Sequence, residues 1–269
     1  MGDITYTVRR LVARHQGALP VILTCPHGGN DQPPGVAKKR TGKTIPEDCD
    51  FQTNTDRLTR TVTREVAQTL FDVFGEAPYV VIADFDRDYI DANRRLECAF
   101  EDQDAEPFYL EYHDAIRSFA DEIRLDTGGL GLLFDIHGTE QVTSDEADVF
   151  LGTRNGESIS ALLRRDPLGL SRDRSLPSLL RAAGYVVSSQ TPETIKGGFT
   201  LEKYGSSNPD GLDSIQIEIE TSLRIDEAKR TPFVEDFAFA ISSLIARYAD
   251  THTMAAYRTA NFIPRLRRG

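Results

Sequence analysis

Two stretches decide the fold: Val21-Ile22-Leu23-Thr24-Cys25-Pro26-His27-Gly28-Gly29 and Leu130-Gly131-Leu132-Leu133-Phe134-Asp135-Ile136-His137-Gly138. Each is a short apolar run of strand length, and each ends in a histidine. Outward from the first, Pro33, Pro34, Gly35, Gly42 and Pro46 make residues 31–48 a loop. Leu58, Val62, Val66 and Leu70 then recur every four residues, which predicts an amphipathic helix over 52–74. Further strands are expected at 79–83, 148–151, 185–189 and 214–219. Helices are expected at 108–125, stopped by Gly128-Gly129, at 174–183, closed by Gly184, and at 233–248. Strands alternating with helices predict an α/β sandwich around a mostly parallel sheet. Nothing in 1–269 reads as an interdomain linker, so a single α/β domain is expected, with a basic tail after Ile263.

Composition narrows the function. A chain of 269 residues, 39% hydrophobic and 27% charged, has the profile of a folded globular protein. At this size about 70–75% of the unfolded surface is buried on folding. Asp plus Glu number 42 against 31 Lys plus Arg, a net charge of −11, which opposes a nucleic-acid or anionic-membrane role. A small anionic substrate needs only a local positive cluster. Cys25, Cys49 and Cys98 are too few for a disulfide framework, so reduced thiols in a cytoplasmic protein are expected. Residues 1–10 hold no apolar stretch of the kind a secretory signal needs, and no run approaches the ~20 apolar residues of a membrane helix.

Sites in open α/β sheets form at the carboxyl ends of strands. His27 and His137 both stand there and are able to converge on one metal, and a third ligand should be a carboxylate. Glu47, Asp48 and Asp50 are the candidates, and helix capping is the plain alternative for each. After the second strand, residues 84–95 carry Arg87 and Arg94, whose planar forks of donors match carboxylates. In Ile215-Gln216-Ile217-Glu218-Ile219-Glu220, alternation puts Gln216, Glu218 and Glu220 on one face and the isoleucines on the other. Gly197-Gly198 lets backbone N–H groups approach an anion, though such pairs are common in turns. Cys25, two residues from His27, reads as an inert buried thiol before it reads as a nucleophile.

In order, these segments resemble the N-formylglutamate amidohydrolase family, from about Val21 to Glu220. Pro26-His27-Gly28-Gly29 looks like that family's Pro-His-x-Gly, and Asp48-Cys49-Asp50-Phe51 like its Asp-Thr-Asp-aromatic segment. Residues 87–94 look like its Arg-Tyr-x-Ile-Asp-x-Asn-Arg run. Asp135-Ile136-His137-Gly138 resembles its Asp-x-His-Ser except at the last place. Gly197-Gly198-Phe199-Thr200 with Tyr204-Gly205, and Gln216-Ile217-Glu218-Ile219, are similar to two later motifs. The layout is also similar to that of zinc carboxypeptidases and aspartoacylases.

The resemblance implies a three-layer α/β/α, zinc-peptidase-like fold with a mostly parallel mixed sheet. It also implies one zinc per chain, or another divalent metal, on His27, Asp50 and His137. Glu218 would be the general base and Arg87 the oxyanion donor. Asn93 and Arg94 would hold the α-carboxylate of a small anionic N-acyl amino acid, and Gly198 with Thr200 or Tyr204 its side-chain carboxylate. The implied reaction is hydrolysis of N-formyl-L-glutamate to formate and glutamate. Other readings are a related amidase on another N-acyl or γ-glutamyl compound, a Cys25-dependent hydrolase, and a non-catalytic binding protein. Such a binding protein would have no need of Glu218.

Overall fold

Along β3 (Leu19–Cys25) the side chains divide between two cores: Val21, Leu23 and Cys25 enter one, and Ile22 the other. Neither face of this strand is polar, so both must be covered, and helices cover both. The structure is a computed structural model that describes residues 2–139, 147–188 and 197–248; the basic tail after Ile263 lies outside them.

The other strands are β1 (Thr7–Arg9), β2 (Val12–His15), β4 (Pro78–Ala83), β5 (Leu132–Thr139), β6 (Val149–Gly152), β7 (Val187–Ser188) and β8 (Asp213–Glu220). They form one eight-stranded sheet in the order β1-β2-β4-β3-β5-β8-β6-β7. The centre, β4-β3-β5-β8, is parallel; β2 joins β4 and β6 joins β8 in antiparallel fashion. The sheet is thus mixed around a parallel middle.

Helix α1 (Thr59–Phe74) puts Val62, Val66 and Leu70 on one face of the sheet. Two short helices, α2 (Leu96–Ala99) and later α4 (Ser160–Arg165), flank α3 (Glu106–Thr127) in the chain. The long α3 covers the opposite face with Tyr112, Ile116, Phe119 and Ile123. Helix α5 (Leu176–Ala182) and the final α8 (Glu227–Tyr248) join α1, burying Leu176, Leu180, Phe233, Phe237 and Ile241. Between them come α6 (Phe199–Tyr204) and α7 (Thr221–Ile225). The expected α/β/α arrangement is present.

In β8, Ile215, Ile217 and Ile219 face the α1/α8 core, as alternation requires, and the strand lies between β5 and β6. The register sets Glu218 directly beside His137. One expectation needs correction, and one hairpin has no counterpart in the sequence reading. Helix α1 begins at Thr59 rather than at 52, because Leu58 adopts a left-handed φ of 64° and Thr59 donates both its N–H and its hydroxyl to Asp56 O. The β1–β2 hairpin lies in a segment whose residues alternate poorly and carry three arginines, Arg9, Arg10 and Arg14.

The expectation of three reduced thiols is overturned. Cys49 and Cys98 form a disulfide, and only Cys25 is free. The support that cysteine usage lent to a cytoplasmic location goes with it. No helix among the described residues is long and apolar enough to cross a membrane.

The bond closes a loop with a sequence separation of 49. Chain-entropy arguments give such a loop about 4 kcal/mol of stabilisation. Reduction should therefore lower the denaturant midpoint of the protein, while a Cys49→Ser/Cys98→Ser double variant should show no change on adding reductant. An equal response of both proteins would mean that the bond contributes nothing.

Candidate metal centre

His27 follows β3 and His137 lies within the last turns of β5, on neighbouring parallel strands. Their rings lie 4.9 Å apart, centre to centre, and both are almost fully buried. Each is gripped from behind by a carboxylate. The Nε2–H of His27 donates to Asp91 Oδ1 at 2.7 Å, and that of His137 to Asp135 Oδ2 at 2.9 Å. Asp91 and Asp135 are wholly buried, and Thr24 on β3 donates to Asp135 Oδ1 at 2.6 Å. With both Nε2 protons so engaged, both Nδ1 lone pairs turn inward.

The group they meet is Asp56. Its Oδ2 lies 3.1 Å from His137 Nδ1 and 3.5 Å from His27 Nδ1. Asp56 is placed by its own N–H, which donates to His27 O at 2.9 Å, and its Oδ2 also accepts from Gly138 N at 3.0 Å. In neutral rings these lone pairs face a carboxylate oxygen, an arrangement that a cation among them relieves, a proton on His137 Nδ1 or a metal ion shared by all three groups. His27 Nδ1 is buried with no hydrogen-bond partner. Donors about 2.0–2.2 Å from a shared tetrahedral ion stand roughly 3.3–3.5 Å apart, close to the spacings seen. The set of two imidazole nitrogens and one carboxylate oxygen thus fits a divalent metal, and His27, Asp56 and His137 are the residues that would hold it.

Asp50 is not in this group. Its side chain is 73% exposed and pairs with Arg94 at 3.0 Å. The acidic partner of the histidines is Asp56, six residues further on. A sequence signal for it existed: Asn54-Thr55-Asp56 keeps the Thr-Asp pair of the family segment, where the stretch at 48–51 has Cys49 in place of the threonine.

Electrostatics follow from this packing. Burial disfavours the charge of Asp56, but the His137 and His27 imidazoles facing it outweigh that and hold the carboxyl far below its usual range. Burial likewise opposes the charge of Asp91, and Arg87 with His27 overrides it in the same direction. For His137, burial is overcome by Asp135 and then Asp56, so its basicity is raised well above that of free imidazole. Glu218 goes the other way, its pKa raised by burial against the opposing charge of His137. Cys25 is fully buried, and burial pushes its thiol up to about 11, which removes it as a nucleophile near neutral pH.

The trio opens on a cavity of about 740 Å³ that is also lined by Arg87, Asn93, Arg94, Gly198 and Glu218. Arg87 donates through Nε and Nη2 to Asp91 and through Nη1 to Asn54 O, which leaves one N–H on each terminal nitrogen. Arg94 is more committed. Nε donates to Cys49 O, Nη1 to Asn93 O, and Nη2 to Asp50 O and Oδ2, so a single N–H remains.

Two of the expected substrate contacts face inward instead. Thr200 is fully buried and donates its N–H and hydroxyl to Asn93 Oδ1 at 2.8 and 3.1 Å, so it positions Asn93. Tyr204 belongs to the core beside α3, and its hydroxyl donates to His113 O at 3.0 Å. Gly198 fits its place because a Cβ there would strike the Asn93 amide, and its N–H donates to Gln216 Oε1 at 2.7 Å. Gly138, where the family motif has serine, is occupied in the same sense by the Arg224 guanidinium. Arg224 donates to Ile219 O at 2.9 Å, to Thr139 O at 3.2 Å and to Arg57 O.

No family model matches the chain, and no curated protein matches it in sequence. In fold it is similar to the crystal structure of N-formylglutamate amidohydrolase from Ralstonia eutropha JMP134. The TM-score is 0.61 at 16% identity, over 89% of this chain and 99% of that one. It is also similar to the crystal structure of a gene product from Agrobacterium tumefaciens, with a TM-score of 0.57 at 16% identity over 89% and 93% of the two chains. The α/β fold that the motifs implied is therefore shared with an N-formylglutamate amidohydrolase.

The geometry separates Asp56 from Asp50 by experiment. Asp56→Asn should weaken binding of a divalent metal by more than about 100-fold, the upper end of what outer-sphere changes cost, whereas Asp50→Asn should leave it unchanged. Metal analysis after dialysis against a weak chelator reads both. Retention by Asp56→Asn together with loss by Asp50→Asn would restore the sequence assignment.

Proposed function

We propose that the protein is a metal-dependent amidohydrolase that cleaves N-acyl amino acids, with N-formyl-L-glutamate, yielding formate and glutamate, as the substrate. The observation that carries this reading is the position of Glu218. It is a half-buried carboxylate on the strand register of His137, in the same cavity as the His–Asp–His group. A binding protein gains nothing from a carboxylate held there at the cost of its desolvation.

A divalent ion on His27, Asp56 and His137, zinc by the nature of its donors and one per chain, would activate a water near neutral pH and polarise the scissile carbonyl. The residues supply the rest. Glu218 takes a proton from the attacking water and returns it to the leaving amine as the C–N bond breaks. Gln216 donates to Glu218 Oε1 at 2.7 Å and fixes its orientation. The two unengaged N–H groups of Arg87 stabilise the oxyanion, and Asp91 keeps that guanidinium from moving. Asn93 and the last N–H of Arg94 face the α-carboxylate. Other divalent metals suit the same donors.

The cavity favours one variant of this reading. Its volume of about 740 Å³ lies in the upper part of the ~300–1,000 Å³ that holds drug-sized ligands, so acyl groups bulkier than formyl also fit. A panel of N-acyl glutamates with growing acyl groups ranks them.

Chelation should abolish release of glutamate from N-formyl-L-glutamate, and added zinc should restore it. Glu218→Gln should keep the metal and lose about 10²–10⁴ in kcat. Because a base works ionised, and burial raises this one, activity should fall as the pH drops through a value above the ordinary carboxylate range. Full activity in Glu218→Gln, or an acid limb unchanged by it, would remove Glu218 from the reaction.

A further inference from the structure

A dicarboxylate such as an N-acylglutamate needs contacts for its second carboxylate, and the hydroxyl side chains expected to hold it, Thr200 and Tyr204, are turned into the protein. The cavity is lined by six arginines, and five of them are already bound. Arg87 holds Asp91, Arg94 holds Asp50, Arg95 holds Asp48, Arg154 holds Glu202, and Arg224 holds backbone carbonyls. Arg57 alone has no hydrogen bond or ion pair from its side chain among the described residues. It is exposed and lines the open cavity.

Its backbone, by contrast, is rigidly placed. Arg57 directly follows the metal-site residue Asp56, whose N–H is fixed to His27 O at 2.9 Å. The Arg57 carbonyl accepts from Arg224 Nη1, and the next residue, Leu58, takes a left-handed φ of 64° to enter α1. A long cationic side chain is thus anchored at its base beside the reacting centre and left free at its tip. That is the arrangement a carboxylate-binding fork requires.

We infer that Arg57 binds the side-chain carboxylate of the substrate and selects dicarboxylic N-acyl amino acids over those with neutral side chains. This rests on the amidohydrolase reading of the cavity. A charge-assisted contact of this kind is worth about 10–100-fold in affinity.

The test uses metal-loaded wild type, Arg57→Ala and Arg57→Lys, after metal analysis shows equal loading. Calorimetry measures binding of L-glutamate and L-glutamine, and kinetics compare N-formyl-L-glutamate with N-formyl-L-glutamine. Wild type should prefer the dicarboxylate in both assays. Arg57→Ala should lose about 10–100-fold in glutamate affinity and in kcat/KM for the dicarboxylate, chiefly through KM, and become indifferent to the side-chain charge. Arg57→Lys should recover part of the preference. A wild type that binds glutamate and glutamine alike, or an Arg57→Ala variant that keeps the preference, would overturn the assignment. If the binding preference disappears in Arg57→Ala while neither compound is hydrolysed by the wild type, Arg57 keeps its role and the amidohydrolase reading falls.

Discussion

Asp91 is the constraint on which the site depends. It is wholly buried, and its two oxygens are divided between the two halves of the chemistry. Oδ1 receives His27 Nε2–H and the backbone N–H of Asn93; Oδ2 receives Arg87 through Nε and Nη2 at 2.9 Å each. A buried carboxylate without partners is expensive, and breaking a buried pair typically costs about 3–5 kcal/mol. Here the cost is met by four donors, so the ionised form is favoured and each donor is held in one orientation. The imidazole tautomer, the direction of the guanidinium and the path of the chain after residue 91 are set together.

His137 repeats half of this design. Asp135 sits two residues earlier on the same strand and holds Nε2, leaving Nδ1 to face Asp56. Two histidines, one just after β3 and one on the adjacent parallel β5, thus present the same nitrogen to one point, each oriented by its own buried acid. Carboxylates behind metal-facing histidines raise ligand basicity and fix the ring, which is the usual reason for such pairs. The register of β5 with β8 then brings Glu218 alongside without any further device.

Much of this was legible in the sequence. The strand-end histidines, the isoleucine alternation of β8 and the four-residue period of α1 are all local patterns, and local patterns survive in a linear reading. Asp56 was harder. It lies in an irregular turn with no period, and a capping aspartate and a metal-facing one look alike until the backbone path is known. Asp50 had the better-matched neighbours on one side and Asp56 on the other. Thr200 and Tyr204 were misplaced for a related reason: a motif says that a polar side chain matters, not whether it faces the cavity or braces the residue that does. The Cys49–Cys98 pairing joins residues far apart in sequence, and an odd count of three gave no hint of it. The β1–β2 hairpin is short and partly exposed, so it lacks the hydrophobic signature of the central strands.

Gly138 and Arg224 occupy a single volume: the place where a side chain at 138 would begin is filled by the guanidinium. That guanidinium in turn stitches the ends of β5 and β8 to the turn that carries Asp56 and Arg57. The two positions therefore behave as one inherited unit. A side chain at 138 requires the Arg224 guanidinium to shift, and with it the contacts that guanidinium makes to Ile219, Thr139 and Arg57. Among homologous chains the pair should be found switching together, with glycine and arginine in one branch and serine with a smaller partner in another.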